Sequence, residues 1–207
     1  MRVVAVASLL AVVVLASPAS ARLYGDATMS GHIGGGFMWP LADAGDRLYG
    51  GFNLILGGTY WPGPGPLGVM AEVSYQRNSI NRDVLKALGV PGGHTIVIPF
   101  NLNAMFTPKR SGRVGYYLTG GGGVYVLNAK ATAPGTGYCD PWFWGWCSGE
   151  QTLAEATRAR PGLDGGVGFL YDTGNECEIY LETRYHYVFL QESRTFQFVP
   201  ITVGLRF

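Results

Sequence analysis

The last nine residues of the chain, 199–207, constrain its fold more than any other stretch. Every second residue is apolar, so in a β-strand five side chains share one face: Val199, Ile201, Val203, Leu205 and Phe207. The opposite face is mixed, with Pro200, Thr202, Gly204 and Arg206. Such a strand fits a half-buried position in a soluble sheet or a position in a barrel that crosses a membrane, and the rest of the chain has to decide between them.

The N-terminal residues predict export. Arg2 precedes a run of apolar and small residues over 3–16, and Ala19-Ser20-Ala21 forms an A-x-A cleavage site before Arg22. The run is shorter than the ~20 apolar residues that a membrane-spanning helix needs, and Pro18 follows it closely. We therefore predict a signal peptide over residues 1–21 and one mature domain over residues 22–207.

The composition excludes several classes of protein. The chain has 32 glycines, 13% aromatic residues and only 14% charged residues, whereas disordered chains show the opposite balance and soluble domains carry about 25% charged residues. The net charge of +1 gives no indication of a nucleic-acid partner. No histidine and cysteine cluster has the spacing of metal ligands, so neither a metal nor another cofactor is predicted.

Seven more alternating runs, separated by turn signals, precede the terminal strand. They cover residues 29–39, 48–61, 67–76, 95–106, 114–127, 163–171 and 178–189. Residues 81–89 can hold one or two helical turns, and residues 128–160 form by far the longest predicted connection. About eight strands of roughly ten residues each suit the crossing of a bilayer. The pattern predicts an all-β fold, an eight-stranded antiparallel up-and-down transmembrane β-barrel; a soluble secreted ligand-binding barrel is the alternative.

The connections alternate in length along the chain. Those after the second, fourth and sixth runs are short, whereas those after the third and fifth are long. Outer-membrane barrels have short periplasmic turns and longer extracellular loops. We therefore expect an integral protein of the cell outer membrane with both termini in the periplasm.

Charged residues within the runs lie on the face opposite the apolar stripe. On a lipid-facing surface each would cost up to ~2–4 kcal/mol at the bilayer midplane, whereas inside a closed barrel opposite charges can pair. The interior of an eight-stranded barrel is just wide enough for side chains to fill it. We expect a plugged interior rather than an open channel, held by a charge network of Glu72, Asp164, Glu182, Arg184, His186 and Arg206.

Aromatic residues recur near the predicted strand ends. They are Tyr60, Trp61, Tyr75, Phe106, Tyr116, Tyr171, Tyr187, Phe189 and Phe207. This placement is typical of the aromatic belts at the two interfaces of a membrane. The alternative is that these rings belong to the core of a soluble sandwich.

The chain resembles the family of small eight-stranded outer-membrane β-barrels that includes the OmpA-type transmembrane domain. The resemblance rests on the signal peptide, on residues 180–187 (YLETRYHY) and on residues 200–207 (PITVGLRF). It implies that outer-membrane lipid surrounds the barrel. It also implies that the barrel-assembly machinery recognises the terminal strand, with Val203, Leu205 and Phe207 as the signal.

One predicted loop has unusual content, with two cysteines that enclose a cluster of aromatic residues. Its residues of interest are Cys139, Cys147, Tyr138, Trp142, Phe143, Trp144 and Trp146. A disulfide between the two cysteines would contribute ~2–3 kcal/mol on the chain-entropy model. The aromatic residues either anchor the loop or bind an extracellular ligand, or else pack on themselves over the barrel mouth. Cys177 lies in a predicted periplasmic turn, as a free thiol or an intermolecular partner.

The sequence favours a structural or surface-interaction role, adhesion or binding, through the extracellular loops. A narrow porin-like channel for small solutes is the alternative. A lipid-modifying hydrolase or acyltransferase is a more distant one, in which His186 would act with Glu182 and Ser74. An interior hydrogen-bonding histidine is the simpler interpretation of His186, and no catalytic residue is predicted.

Overall fold

The computed structural model describes residues 28–108, 112–134, 150–174, 177–191 and 194–207. The predicted signal peptide and the predicted domain start at Arg22 lie outside the described residues. Within them the chain forms β-strands and two short helices. The strands are β1 Thr28–Leu41, β2 Leu48–Trp61, β3 Leu67–Ile80, β4 Gly92–Phe106, β5 Val114–Pro134, β6 Glu150–Asp172, β7 Glu178–Phe189 and β8 Thr195–Arg206. The helices are α1 Asp43–Arg47 and α2 Arg82–Ala87.

The strands close into a barrel in chain order, from β1 to β8. Each strand pairs antiparallel with the next, and β1 closes the barrel by pairing antiparallel with β8, where Gly34 lies opposite Gly204. A closed sheet leaves the spanning strands without open edges, which is what a strand needs in lipid. The predicted eight-stranded antiparallel barrel is confirmed.

The two faces of each strand differ sharply in chemistry. Large apolar side chains in mid-strand point outward, so that Phe37 is 65% exposed and Leu102 is 62% exposed. Polar and charged side chains point inward, and Asn103 and Arg184 are at most 2% exposed. This inverts the arrangement of a soluble protein and is the arrangement of a barrel whose outside is in contact with lipid.

The two ends of the barrel also differ. We call the turn end the one with the β2–β3, β4–β5 and β6–β7 connections, where β1 begins and β8 ends. We call the loop end the other one, where α1 and α2 lie within the β1–β2 and β3–β4 connections.

Only one of the two helices could be predicted from the sequence. The helical turns predicted over residues 81–89 are confirmed as α2, which Asn81 caps by accepting a hydrogen bond from the Asp83 backbone N–H at 3.0 Å. By contrast, α1 lies in the connection between the first two predicted runs, where the sequence predicts no helix. This helix has five residues and no side-chain cap, so the sequence carries no start signal for it. No helix among the described residues is long and apolar enough to span a membrane.

The largest departure from the prediction lies between β5 and β6. We expected residues 128–160 to form one long connection, but residues 128–134 and 150–160 continue the two strands. They stay paired as far as Pro134 opposite Glu150, with one register shift between Ala131 and Thr132. The two strands therefore have 21 and 23 residues. β7 pairs with β6 only from Gly162 onward, so the β5–β6 hairpin projects beyond its neighbour at the loop end. Its β6 side chains from Gln151 to Ala159 are exposed on both faces.

Candidate functional site

Arg184 organises the polar part of the barrel interior. Its guanidinium contacts three carboxylates: Nη2 donates to Glu182 Oε1 at 2.7 Å, Nη1 lies 3.4 Å from Asp164 Oδ2, and both terminal nitrogens reach Glu72. The four side chains are at most 6% exposed. A buried ion pair offsets its desolvation cost only when hydrogen bonds satisfy the remaining lone pairs.

Three further side chains supply those hydrogen bonds. His32 Nε2 lies 2.8 Å from Glu72 Oε1, and Asn103 Nδ2 donates to Asp164 Oδ2 at 2.9 Å. The Tyr117 hydroxyl donates to Glu182 Oε2 at 2.8 Å. Every carboxylate in the layer therefore has a partner in addition to Arg184. We call these seven residues the Arg184 layer.

The strand period explains how a sequence with few charges concentrates them here. Glu182 and Arg184 are two residues apart on β7, so they share the inner face. Glycines on the neighbouring strand provide the room: Gly166 lies opposite Arg184, and Gly168 opposite Glu182. A Cβ on Gly168 would overlap the Tyr117 ring, so the absence of a side chain there leaves room for that ring inside the barrel.

Apolar clusters close the interior on both sides of the Arg184 layer. Toward the turn end lie Met70, Met105, Leu170 and Tyr180 with the ring of Tyr117, and Trp61 packs against them. Toward the loop end lie Met38, Ala44, Val97, Tyr125, Val188, Phe196 and Phe198. Their residues are at most 8% exposed, except for the partly buried Trp61. Layers of apolar, charged and apolar side chains therefore fill the interior along the barrel axis.

Arg206 lies at the edge of the Arg184 layer, against Tyr117, although we expected it to join Glu72, Glu182 and Arg184. Its guanidinium carbon is 4.9 Å from the centre of the Tyr117 ring, and Nη1 is 3.9 Å from Glu178 Oε2. It reaches the layer through Tyr117, which bonds Glu182. The reason is its position at the end of β8, next to the turn end.

His186 is not paired with Glu182, the acid that would have to orient it in an enzyme. Its Nδ1 is 2.8 Å from the Tyr125 hydroxyl, and its ring stacks on Phe198 with centroids 4.5 Å apart. Glu182 is held instead by Arg184 and Tyr117. The geometry is that of a structural histidine within the loop-end apolar cluster. Among the described residues, no group of three or more His, Cys, Asp or Glu side chains could hold a metal ion.

The outer surface carries aromatic residues at both ends of the apolar band. Tyr60, Phe106, Tyr116, Tyr171 and Phe207 are exposed toward the turn end, and three ring pairs (Phe37–Trp39, Phe52–Tyr75 and Tyr187–Phe189) lie toward the loop end. Trp61 is the exception in the predicted set, because its ring lies over Gly68 inside the barrel. Val203 and Leu205 of the terminal strand are 55% and 46% exposed on the outside.

Most of the predicted ligand-binding loop lies outside the described residues. This applies to Tyr138, Cys139, Trp142, Phe143, Trp144, Trp146 and Cys147. Cys177 is described, and it is a free, half-buried thiol at the turn end.

Several interior residues could hardly be assigned from the sequence. Tyr117, Tyr125 and Asn103 bond the charged residues and histidines, and Met38, Met70 and Met105 fill the apolar layers. Their only common signal is strand parity, since each alternates with outward-facing apolar neighbours. Tyrosine and methionine fit either face of such a strand. The inward or outward direction of the neighbouring positions therefore has to be known before these residues can be assigned to a face.

Solved structures share this fold. The chain is similar to a major outer membrane protein from Thermus thermophilus, with a TM-score of 0.59 and 15% identity over 87% of this chain and 98% of the other. Neisserial surface protein A (NspA) gives a TM-score of 0.53 and 14% identity over 87% and 97%. The outer membrane protein OprG from Pseudomonas aeruginosa gives 0.51 and 14% over 88% and 98%. The sequence matches no protein-family model and no curated protein sequence.

A closed antiparallel barrel with an apolar outside and a filled interior that carries buried charges is the fold of the class of small outer-membrane β-barrels. The resemblance to that class, which the terminal strand and the YLETRYHY run suggested, is confirmed at the level of the fold.

Proposed function

We propose that this chain is an integral outer-membrane protein with a structural or surface-interaction role, and that both termini are periplasmic. The exposed apolar band and its two aromatic borders support the membrane location, because they match the lipid and interface contacts of such barrels. The short connections at the turn end support the periplasmic orientation.

The filled interior is the observation that carries the role. A channel needs a continuous polar path, whereas here the Arg184 layer is covered by an apolar cluster on each side. Moving an ion past these clusters would require it to lose its hydration among side chains that offer few ligands. We therefore favour a plugged barrel over a narrow porin-like channel.

The β5–β6 hairpin is the part of the protein best suited to surface contacts. It projects at the loop end, and Lys130 and Glu155 pair across it at 3.4 Å. The segment with Cys139 and Cys147 connects its two strands. We propose that this segment, with its aromatic residues, contacts an extracellular ligand, and that Val203, Leu205 and Phe207 serve barrel assembly.

Two experiments test the proposal. In planar bilayers the purified protein should give no discrete single-channel conductance, and a stable open state would refute the plugged barrel. For orientation, Ala156→Cys can be introduced on the hairpin of a variant with Cys139→Ser, Cys147→Ser and Cys177→Ser. A membrane-impermeant maleimide should label this cysteine in intact cells. In the matched variant that keeps only Cys177, labelling should require a permeabilised outer membrane, and the reverse result would invert the topology.

A further inference from the structure

The β5–β6 hairpin leaves one of its two outer edges open. β4 pairs with β5 as far as Thr132, whereas β7 pairs with β6 only from Gly162 onward. Among the residues that the structure describes, no strand pairs with the outer edge of residues 150–161. An open edge presents a row of unpaired backbone N–H and C=O groups and is therefore a template for a further strand.

A hydrogen bond at the turn end identifies the residues whose backbone points to this edge. The Asp172 N–H donates to the Arg113 C=O at 2.8 Å, on the β5 side. Successive residues of an antiparallel strand direct their N–H and C=O groups to opposite edges, and the β5–β6 register is unbroken over residues 154–171 of β6. Even-numbered residues of β6 therefore face β5. The open edge receives the backbone groups of the odd-numbered residues Glu155, Thr157 and Ala159.

The charges along this edge favour an acidic partner. Arg158 and Arg160 are two residues apart, so they share one face of β6, and no acidic residue occupies that face between positions 152 and 160. Glu155 lies on the other face, where Lys130 already pairs with it at 3.4 Å. In an added antiparallel strand, acidic side chains directly opposite the two arginines would form favourable cross-strand pairs.

We propose that the open edge of β6 binds an extended acidic segment of a partner polypeptide, which adds a strand to the hairpin. The backbone of the segment pairs with Glu155, Thr157 and Ala159. Two of its carboxylates, two residues apart, lie opposite Arg158 and Arg160. The proposal rests on the surface role of the hairpin proposed above, and it names the class of the partner and the mode of binding.

Labelled peptides in detergent micelles test the pairing. The probe is fluorescein-labelled Thr-Glu-Val-Glu-Val-Thr-amide, and the anisotropy of its fluorophore reports binding to the purified protein. With the two glutamates opposite the arginines, the N–H groups of the two valines point to β6 and those of the two glutamates point away. N-methylation of the valines should therefore abolish binding, whereas N-methylation of the glutamates should leave it unchanged.

Two substitutions at Thr157 separate main-chain pairing from side-chain effects. Both remove the hydroxyl that accepts a hydrogen bond from Asn128 Nδ2 at 2.7 Å. Thr157→Pro also removes an N–H from the open edge, a position where a strand tolerates proline, and should weaken binding of the acidic peptide about tenfold or more. Thr157→Val keeps the N–H and should bind the peptide like the unmodified protein.

Arg158→Met tests the charge and should weaken binding about two- to fivefold, as expected for one exposed ion pair. Heat-modifiable gel mobility verifies that each variant is folded. The N-methylated peptides test the same pairing on the unmodified protein, so the result does not depend on the folding of Thr157→Pro.

Four results would overturn the proposal. The first is the absence of binding by the acidic peptide. The second is equal binding of the peptide that is N-methylated at its valines, which would show that charge alone suffices, as for an acidic polysaccharide. The third is equal binding of an analogue with lysine in place of glutamate. The fourth is a dimer of the protein that Thr157→Pro abolishes, which would assign the edge to a second copy of this chain. The conductance and labelling experiments above do not involve this edge, so they test the proposed function separately.

Discussion

Phe207 and Gly31 close the barrel as a directly bonded pair. The Gly31 N–H donates to the Phe207 carbonyl at 2.7 Å, and the Phe207 N–H donates to the Gly31 carbonyl at 2.9 Å. The phenyl ring also lies over Gly31, where a Cβ would come within 2.7 Å of a ring carbon. The aromatic side chain at the end of β8 therefore covers the seam between the first and last strands.

Adding a methyl group at this seam should weaken it. In Gly31→Ala the Phe207 ring has to move away from the first strand, and we expect a loss of about 1–3 kcal/mol in the free energy of unfolding. Gly58→Ala is the matched control, because Gly58 is the β2 partner of Gly31 and a Cβ there meets its nearest atom at an ordinary 3.4 Å. Urea titration in lipid vesicles measures both, and equal stabilities would contradict the role of the ring.

Replacing Arg184, the central cation of the interior, should lower the free energy of unfolding. Arg184→Met leaves Glu72, Asp164 and Glu182 facing one another in a buried layer, and we expect a loss of about 3–5 kcal/mol. Arg158→Met makes the same change at an exposed position on the hairpin and should stay within about 0.5 kcal/mol of the unmodified protein. The same urea titration compares the two variants, and a near-neutral Arg184→Met would show that the carboxylates do not depend on the guanidinium.

Replacing Gly168, a glycine inside the barrel, should also destabilise the protein. Gly168→Ala forces the Tyr117 ring away and breaks its hydrogen bond to Glu182, with an expected loss of about 1–3 kcal/mol. Gly120→Ala is the control on an adjacent strand, since its nearest atom is 3.7 Å away. Tyr117→Phe removes the same hydroxyl without the steric change. If Gly168→Ala is no worse than Gly120→Ala, the close packing of the ring has no energetic role.

On the hairpin, the pKa of the Glu155 carboxyl is shifted. The hydrogen bond from Asn128 lowers the pKa of the Glu155 carboxyl below its ordinary value of 4.5, and Lys130 lowers it further. Because the pKa is lower in the folded hairpin, this contact stabilises the hairpin above pH 4.5 and is lost as the pH falls through the shifted value. Carboxyl NMR should show the midpoint of Glu155 below 4.5, with a larger rise in Asn128→Ala than in Lys130→Ala. An unchanged midpoint in Asn128→Ala would contradict this cause.

The spanning strands could be predicted because lipid enforces a strict alternation of side chains. The runs at 48–61 and 178–189 coincide with β2 and β7, and Glu182 and Arg184 already stand on the face opposite the apolar stripe. Where the strands leave the apolar band, that constraint ends. Apart from Pro134 and Leu153, the apolar residues of 128–134 and 150–160 are alanines, so no stripe of large apolar side chains marks these segments as strands. Cross-strand pairing keeps them extended.

The contacts inside the barrel could be predicted only in part. Parity shows that Arg206 and His186 face inward, but their height along the barrel axis depends on the stagger between strands. That stagger brings Arg206 next to Tyr117 and Glu178, and His186 next to Tyr125 and Phe198. Sequence alternation contains no information on this stagger. Residues on the same face were therefore expected to contact one another, although the structure places them in different layers.

The Arg184 layer also bears on how the barrel closes. If β7 paired with β6 or β8 one residue out of register, its side chains would exchange faces, and Glu182 and Arg184 would point into lipid. An arginine at the midplane costs ~2–4 kcal/mol there and a glutamate less, so Arg184 and Glu182 both penalise the misaligned sheet as well as stabilising the correct one. The partners Glu72 and Asp164 come from two other strands, β3 and β6. The ion pairs of the layer therefore form only when three strands are correctly aligned. The side chains that fill the folded barrel therefore also disfavour misaligned strand pairing during its assembly.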